Sequence, residues 1–261
     1  MAQLRDKVIA ITGAGSGIGR ATALTAASRG ASLGLCDVDD RGLDQVVEEI
    51  RGRGRGGGVG VGVDVVGTVV NMADSSAVDA WMAATMRHFG RLDGAANVAG
   101  VESSPDGTVY APIVDTTDAH WNHILGINLT GLFYCLRAEL RVMRRGASVV
   151  NVASVGGLAG RESFGAYSAS KHGVVGITRT AAREVGVDGI RVNAICPGIT
   201  QTPMMDRLSD GAPASMVASM YIPLQDRGTP EHMAKTICFA LSDDADYTTG
   251  SLFTVDGGIM S

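Results

Sequence analysis

The chain has 261 residues, 45% of them apolar, and a formal charge of −5 from 22 Lys and Arg against 27 Asp and Glu. That is enough apolar sequence for a substantial core, and an acidic balance with no basic block beyond the Arg-Gly alternation near residue 51 leaves capture of nucleic acid unsupported. Cys36, Cys135, Cys196 and Cys238 are scattered, with no CxxC pair and no histidine cluster, so neither a disulfide framework nor a metal site is expected, and the first apolar stretch is too short for a signal segment or a membrane span. A cytoplasmic protein is the expectation.

In chain order, "KVIAIT" (7–12) reads as a buried strand and is followed by a helix over about 17–29. "ASLGLCD" (31–37) is a second strand, and "DRGLDQVVEEIR" (40–51) sets Leu43, Val46, Val47 and Ile50 on one helical face. Further strands fall at 92–100, 146–154, 189–198 and 250–258, with helices over 75–89, 118–144, 165–186 and 230–242 between them. Strands alternating with longer helices predict an α/β fold, a doubly wound, mostly parallel Rossmann-type sheet with helices on both faces. No linker or shift of composition divides the units, so one domain over 1–261 is expected.

The first strand ends in "TGAGSGIG" (12–19), glycines placed where a strand turns into a helix. Glycine lets the backbone approach a ligand closely, and the helix N-terminus offers unpaired N–H groups to a pyrophosphate, so Gly13, Ser16, Gly17 and Gly19 are candidate dinucleotide contacts. Asp37 closes the second strand at a distance suited to a carboxylate on the adenosine ribose. A 2′-phosphate would meet that carboxylate, and Asp39 and Asp40 add to it, while Arg20 and Arg41 lie outside the loop. NAD is therefore expected over NADP, the alternative being that Arg41 swings back to hold a phosphate.

Taken together, Thr12 to Gly19, "NVAG" (97–100), "INLTG" (127–131), "NVASVGG" (151–157), "YSASK" (167–171), "RVNAICPG" (191–198) and "VDGG" (255–258) resemble the short-chain dehydrogenase/reductase family over nearly the whole chain. The chemistry of a hydride leaving or reaching a carbonyl carbon explains the pair in "YSASK". A proton must move at the oxygen, and a free phenol with a pKa of about 10 does this poorly at neutral pH. Lys171, four residues after Tyr167 on the same helical face, can place a cation near the hydroxyl and stabilise the phenolate. Ser154, at a strand's C-terminal end, can bond the substrate oxygen. The resemblance further implies that Lys171 bonds the nicotinamide ribose and that Asn128 holds a water linking Lys171 to solvent. It also implies that Ile18 contacts the nicotinamide end, that Asn97, Ala99 and Gly100 pass beneath the cofactor and that Pro197, Gly198, Ile199, Thr200 and Thr202 hold the carboxamide. Relatives of this kind assemble as homodimers or homotetramers, which is the expectation here.

The adenine contact is less direct. The family's third strand ends in an Asp followed by a small apolar residue; counting forward from Ile50 reaches Val63, beside Asp64, whereas counting back from Asn97 reaches Asn71, a disagreement of about seven residues. The continuous helix pattern after residue 75 favours Asn71, with Met72 against the ring, and makes the Arg-Gly run a solvated loop. Substrate choice is expected from 101–121 and from a lid over about 202–224, where Met204, Met205, Met216, Met220 and Tyr221 suit a bulky apolar or ring-containing alcohol or ketone. His120, His123, His172 and His232 are unclustered and read as surface or packing residues. The expectation is an NAD-dependent oxidoreductase of secondary alcohols and ketones; the alternatives are an NADP-dependent ketone or imine reductase and a nucleotide-sensing protein without turnover.

Overall fold

In β1 (Val8–Thr12), Val8 and Ala10 pack into one apolar cluster while Ile9 and Ile11 pack into another on the opposite side, and every residue is buried. This is how a strand covered on both faces must read, because successive side chains point in opposite directions. The computed structural model describes residues 4–55, 63–209 and 221–261. β1 joins β2 (Ser32–Asp37), β3 (Val65–Val69), β4 (Gly94–Asn97), β5 (Ser148–Val152), β6 (Arg191–Pro197) and β7 (Leu252–Val255) in one seven-stranded sheet. Every pairing is parallel and the order is β3-β2-β1-β4-β5-β6-β7. The order reverses between β1 and β4, and a crevice opens at the carboxyl ends of strands at such a point.

One face is covered by α1 (Gly17–Ser28), α2 (Asp40–Arg55) and, in chain order the last long helix, Pro230–Leu241. Leu43, Val46 and Ile50 of α2 meet Leu33 and Leu35 of β2 there, as their helical spacing dictates. The other face carries α3 (Ser75–Phe89), α4 (Asp118–Leu125), α5 (Leu132–Val142) and α6 (Gly165–Val185). α3 begins where Asp74 accepts from the amides of Ser76 and Ala77 and ends at Gly90, whose φ of 74° suits glycine. A short helix, α7 (Pro203–Ser209), follows β6, so Pro230–Leu241 is α8. Buried Arg191 of β6 donates to the carbonyls of Ala240 and Ser242, satisfying the end of α8.

Two expectations need correction. The helix over 118–144 is not continuous: residues Gly126–Gly131 form a π turn between α4 and α5. Such wide turns occur mostly as single insertions at functional positions, and this one contains Asn128. The Arg-Gly run is helical through Arg55, where Arg51 and Arg53 pair with Glu48 and Glu49 one turn back; the remainder of the expected loop, residues 56–62, lies outside the described residues.

Candidate active site

The segments that leave the carboxyl ends of the strands enclose a cavity of about 820 Å³. Gly13 follows β1, Asp37 ends β2, Asn71 follows β3, Ala99 follows β4, Ser154 follows β5 and Gly198 follows β6, and all six line it. The size and placement match a site for a cofactor and a small substrate.

The glycine turn is built for backbone approach. Gly13 has φ 66°, and a Cβ there would come within 2.9 Å of the Ala99 backbone. A Cβ on Gly19 would collide with the Gly13 carbonyl. Thr12 Oγ1 accepts from the amides of Val98 and Ala99, both at 3.0 Å, fixing the β4 segment beside the turn. Ser16 occupies the N-cap of α1 without capping it, and no acid stands in the first turn. The helix N-terminus is thus left open toward an anion. Asp37 accepts from the Gly15 amide at 2.8 Å and the Asp39 amide at 2.9 Å, which sets its carboxylate at the cavity edge. These residues fit a dinucleotide: Gly13, Ser16, Gly17 and Gly19 would hold the pyrophosphate, Ile18 would face the nicotinamide end and Asp37 would hold the adenosine ribose.

Asn71 and Met72 line the cavity beyond β3, whereas Asp64 stands at the strand's other end in a 2.6 Å contact with His88. The Asn71 amide oxygen already accepts from Ala73 N at 3.0 Å. Met72 is anchored by Cys135 Sγ at 3.5 Å, and its backbone packs where a side chain on Gly131 would lie. Pro197, Gly198, Ile199, Thr200 and Thr202 all reach the cavity. The Thr200 hydroxyl donates to Gly198 O, and Thr202 Oγ1 donates to Thr200 O and accepts from Met205 N at the start of α7.

Asn97 opens the segment expected to pass beneath the cofactor, of which Ala99 and Gly100 line the cavity. It is buried away from the cavity, its amide donating to Glu139 Oε2 and Asn151 Oδ1 at 3.0 Å each. Asn151 in turn donates to Thr178 Oγ1 at 2.9 Å, so the network ties β4 and β5 to α5 and α6. Burial pushes the Glu139 carboxyl up to about 7.

Ser154, Tyr167 and Lys171 meet on the cavity wall. Ser154 Oγ accepts from Gly156 N at 3.0 Å, leaving its own proton available. Lys171 Nζ donates to Val152 O at 2.9 Å and lies 5.6 Å from the centroid of the Tyr167 ring. It flanks the ring rather than bonding the hydroxyl, so the expected acidification is not present in the protein alone. Burial pushes the Tyr167 phenol up to about 12, although a hydrogen bond with Ser154 pulls it down; Glu102 adds a smaller upward push. The same desolvation draws Lys171 down to about 8. Asn128, fully buried, is committed to protein groups: its amide donates to Val101 O and Ser170 Oγ and accepts from Val101 N at 2.8 Å.

The wall beside Tyr167 is aromatic. Phe164 stacks on Tyr167 with ring centroids 4.4 Å apart, and Tyr110 lies 5.6 Å from Phe164. Met204, Met205 and Leu208 complete an apolar end, while Met216 and Met220 lie outside the described residues and Tyr221 is exposed. His123, expected at the surface or in packing, lines the cavity; His120 bonds Ser104. Sequence reasoning also missed Glu102 and Arg207, an ion pair joining the β4 segment to α7, whose only sequence signal is an acid just beyond an apolar strand end.

Residues 13–260 match the family model described as enoyl-(acyl carrier protein) reductase. A protein of Botryotinia fuckeliana named short-chain dehydrogenase/reductase aba4 is 40% identical over 257 residues, covering 97% of this chain and 96% of the relative. Levodione reductase of Leifsonia aquatica is 39% identical, covering 97% and 94%. A crystal structure of levodione reductase superposes with a TM-score of 0.88 at 38% identity over 98% of both chains. A 2,5-dichloro-2,5-cyclohexadiene-1,4-diol dehydrogenase of Sphingobium indicum is 35% identical over the full length of both.

Proposed function

The chain belongs to the short-chain dehydrogenase/reductase family and is an NAD(P)-dependent oxidoreductase acting on CH–OH groups of small molecules, and from that premise we propose that it interconverts a bulky or ring-containing secondary alcohol and its ketone with NAD. The observation that carries the reading is Tyr167, linked to Ser154 and flanked by Lys171 on the wall of a cavity that also contains the glycine turn. When bound, the nicotinamide supplies the hydride acceptor or donor. The protein supplies the rest. Ser154 donates to the substrate oxygen, Tyr167 takes or gives the proton on that oxygen, and Lys171 offsets the phenolate charge as it develops. Asn128, by clamping Val101, holds the Lys171 side of the site. Burial keeps the Tyr167 proton in place in the protein alone, so the resting form is the proton donor needed for ketone reduction.

NAD is preferred because the adenosine end of the cavity presents Asp37 and Val38, with no Lys or Arg lining that end among the described residues, and Arg20 is engaged by Glu49. The aromatic and methionine wall supports a ring-containing substrate, and the relative named for a cyclohexadiene diol acts on one. We read the chain as one domain with α7 forming part of a lid, a cytoplasmic protein with four free buried cysteines. Exposed Trp121 and Phe133 on α4 and α5 support a homodimer or homotetramer through those helices; sedimentation at the mass of a single chain contradicts it.

Purified protein mixed with NAD or NADP and a panel of secondary alcohols, followed by absorbance of the reduced nicotinamide, tests the reading. Turnover with NAD is expected, with at least a tenfold lower kcat/KM for NADP that Asp37→Ser narrows. Tight NAD binding without turnover would favour the sensor, and preferential use of NADP would overturn the cofactor assignment.

A further inference from the structure

The turn from Arg161 to Phe164 builds the wall on which a substrate ring would lie. Phe164 N donates to Arg161 O at 3.2 Å, and Ser163 between them has φ 58°, a costly conformation for a residue with a Cβ. The turn is held from outside: Ala111 N donates to Ser163 O at 2.9 Å, and Ala111 pairs with Phe164 in an isolated bridge. Phe164 is thereby fixed in its stack on Tyr167, with Tyr110, the neighbour of Ala111, against its ring. Arg161 is half-buried and lines the same cavity, so the strained turn sets both a ring and a guanidinium on its wall.

Charge along the cavity is uneven. Among the described residues that line it, the one acid is Asp37 at the adenosine end, whereas Arg161, Lys171, Arg207 and Arg227 stand elsewhere along it. Lys171 donates to Val152 O and Arg207 pairs with Glu102. Arg227 is exposed and precedes Gly228, whose amide donates to Ile199 O at 2.9 Å, so it belongs with the segment after β6. Arg161 has no acidic partner among the described residues, and its neighbour Glu162 is exposed and outside the cavity lining. A guanidinium fork left open beside stacked aromatic rings suits a carboxylate, which it meets with two parallel hydrogen bonds.

We propose that Arg161 selects the substrate: the ring-containing alcohol or ketone also carries a carboxylate, which Arg161 holds while the carbon to be oxidised or reduced lies at Tyr167. This rests on the reading of Tyr167 as the acid and base for such a ring. Phe164, stacked on Tyr167 and joined by its amide to Arg161, gives the substrate ring its surface. The carboxylate then fixes which ring carbon faces the nicotinamide, as a few placed polar groups do in an otherwise apolar pocket.

The test compares kcat/KM for 4-hydroxycyclohexanecarboxylate with that for its methyl ester in the wild type, Arg161→Met, Arg161→Lys and Arg227→Met. The wild type should favour the free acid by about tenfold or more, a ratio that Arg161→Met brings close to one and Arg161→Lys keeps in part. No preference for the acid in the wild type, or a preference that Arg161→Met leaves intact, overturns the proposal. An equal loss in Arg227→Met also overturns it, because selection then comes from the general positive field of the cavity. Should Arg161→Met not fold, Arg161→Gln takes its place with the same outcomes. Turnover of neither compound counts against the functional reading alone, and calorimetric titration of 4-oxocyclohexanecarboxylate into the protein with NADH then decides on Arg161. Binding that Arg161→Met weakens about tenfold sustains the carboxylate site. Binding that it leaves unchanged, or no binding, overturns that site as well.

Discussion

Tyr167 and Lys171 are displaced in opposite directions by one cause, the removal of water from charged forms that would otherwise be hydrated. Four residues of helix place them side by side, but side-chain direction sends Nζ to Val152 O. Their spacing was legible from "YSASK"; the resting protonation was not, because it depends on how deeply neighbouring segments cover them. Glu139 shows the same physics away from the cavity. Its carboxyl sits at about 7 in the folded chain against an ordinary value of 4.5, so the folded state keeps a proton that the unfolded state releases. The stability this contributes is full below about pH 4.5 and is lost as pH rises through about 7. Glu139→Gln should remove that dependence. Between pH 5 and pH 8 its denaturant-measured stability relative to the wild type should improve by roughly 1–3 kcal/mol. A difference that stays flat across the range contradicts the assignment.

At the level of elements, the π turn connects the two halves of the site. Gly131 at its end admits the Met72 backbone beside the Asn71 end of the cavity, and Asn128 within it clamps Val101 by two hydrogen bonds. Asn128→Ala leaves the part-buried amide and carbonyl of Val101 without these partners. It should destabilise the fold by about 2–4 kcal/mol in denaturant titrations and lower kcat more than it raises KM. Unchanged stability would mean that the Val101 segment finds other partners. Six strands and the helices before residue 118 followed from apolar periodicity, since β1, β2 and α2 each have the spacing their burial requires. The break at Gly126–Gly131 did not, because a π turn keeps apolar residues at nearly helical spacing and changes only which bonds close. The side-chain partners of Asn97 were hidden for a related reason: its position at the end of β4 is set by sequence order, but which way its amide faces is set by Glu139 and Asn151 across the core.

For the whole molecule, the sheet order β3-β2-β1-β4-β5-β6-β7 brings six strand ends around one crevice, so residues more than 180 positions apart act on the same space. The ordered motifs made that assembly legible, because those at 12–19, 97–100, 151–157, 191–198 and 255–258 run through strand ends, and a parallel sheet puts those ends on one edge. The partnership of Glu102 with Arg207 was hidden, since 105 residues separate them and neither belongs to a motif. The account stands or falls on whether this crevice transfers hydrogen from carbon to nicotinamide under the control of one phenol. Turnover of a secondary alcohol deuterated at its carbinol carbon, followed by mass spectrometry of the reduced nicotinamide, measures this directly. The account predicts that the reduced cofactor carries the deuterium without exchange with water and that Tyr167→Phe lowers its formation by at least a hundredfold. Deuterium lost to solvent, or transfer that Tyr167→Phe leaves intact, would contradict it.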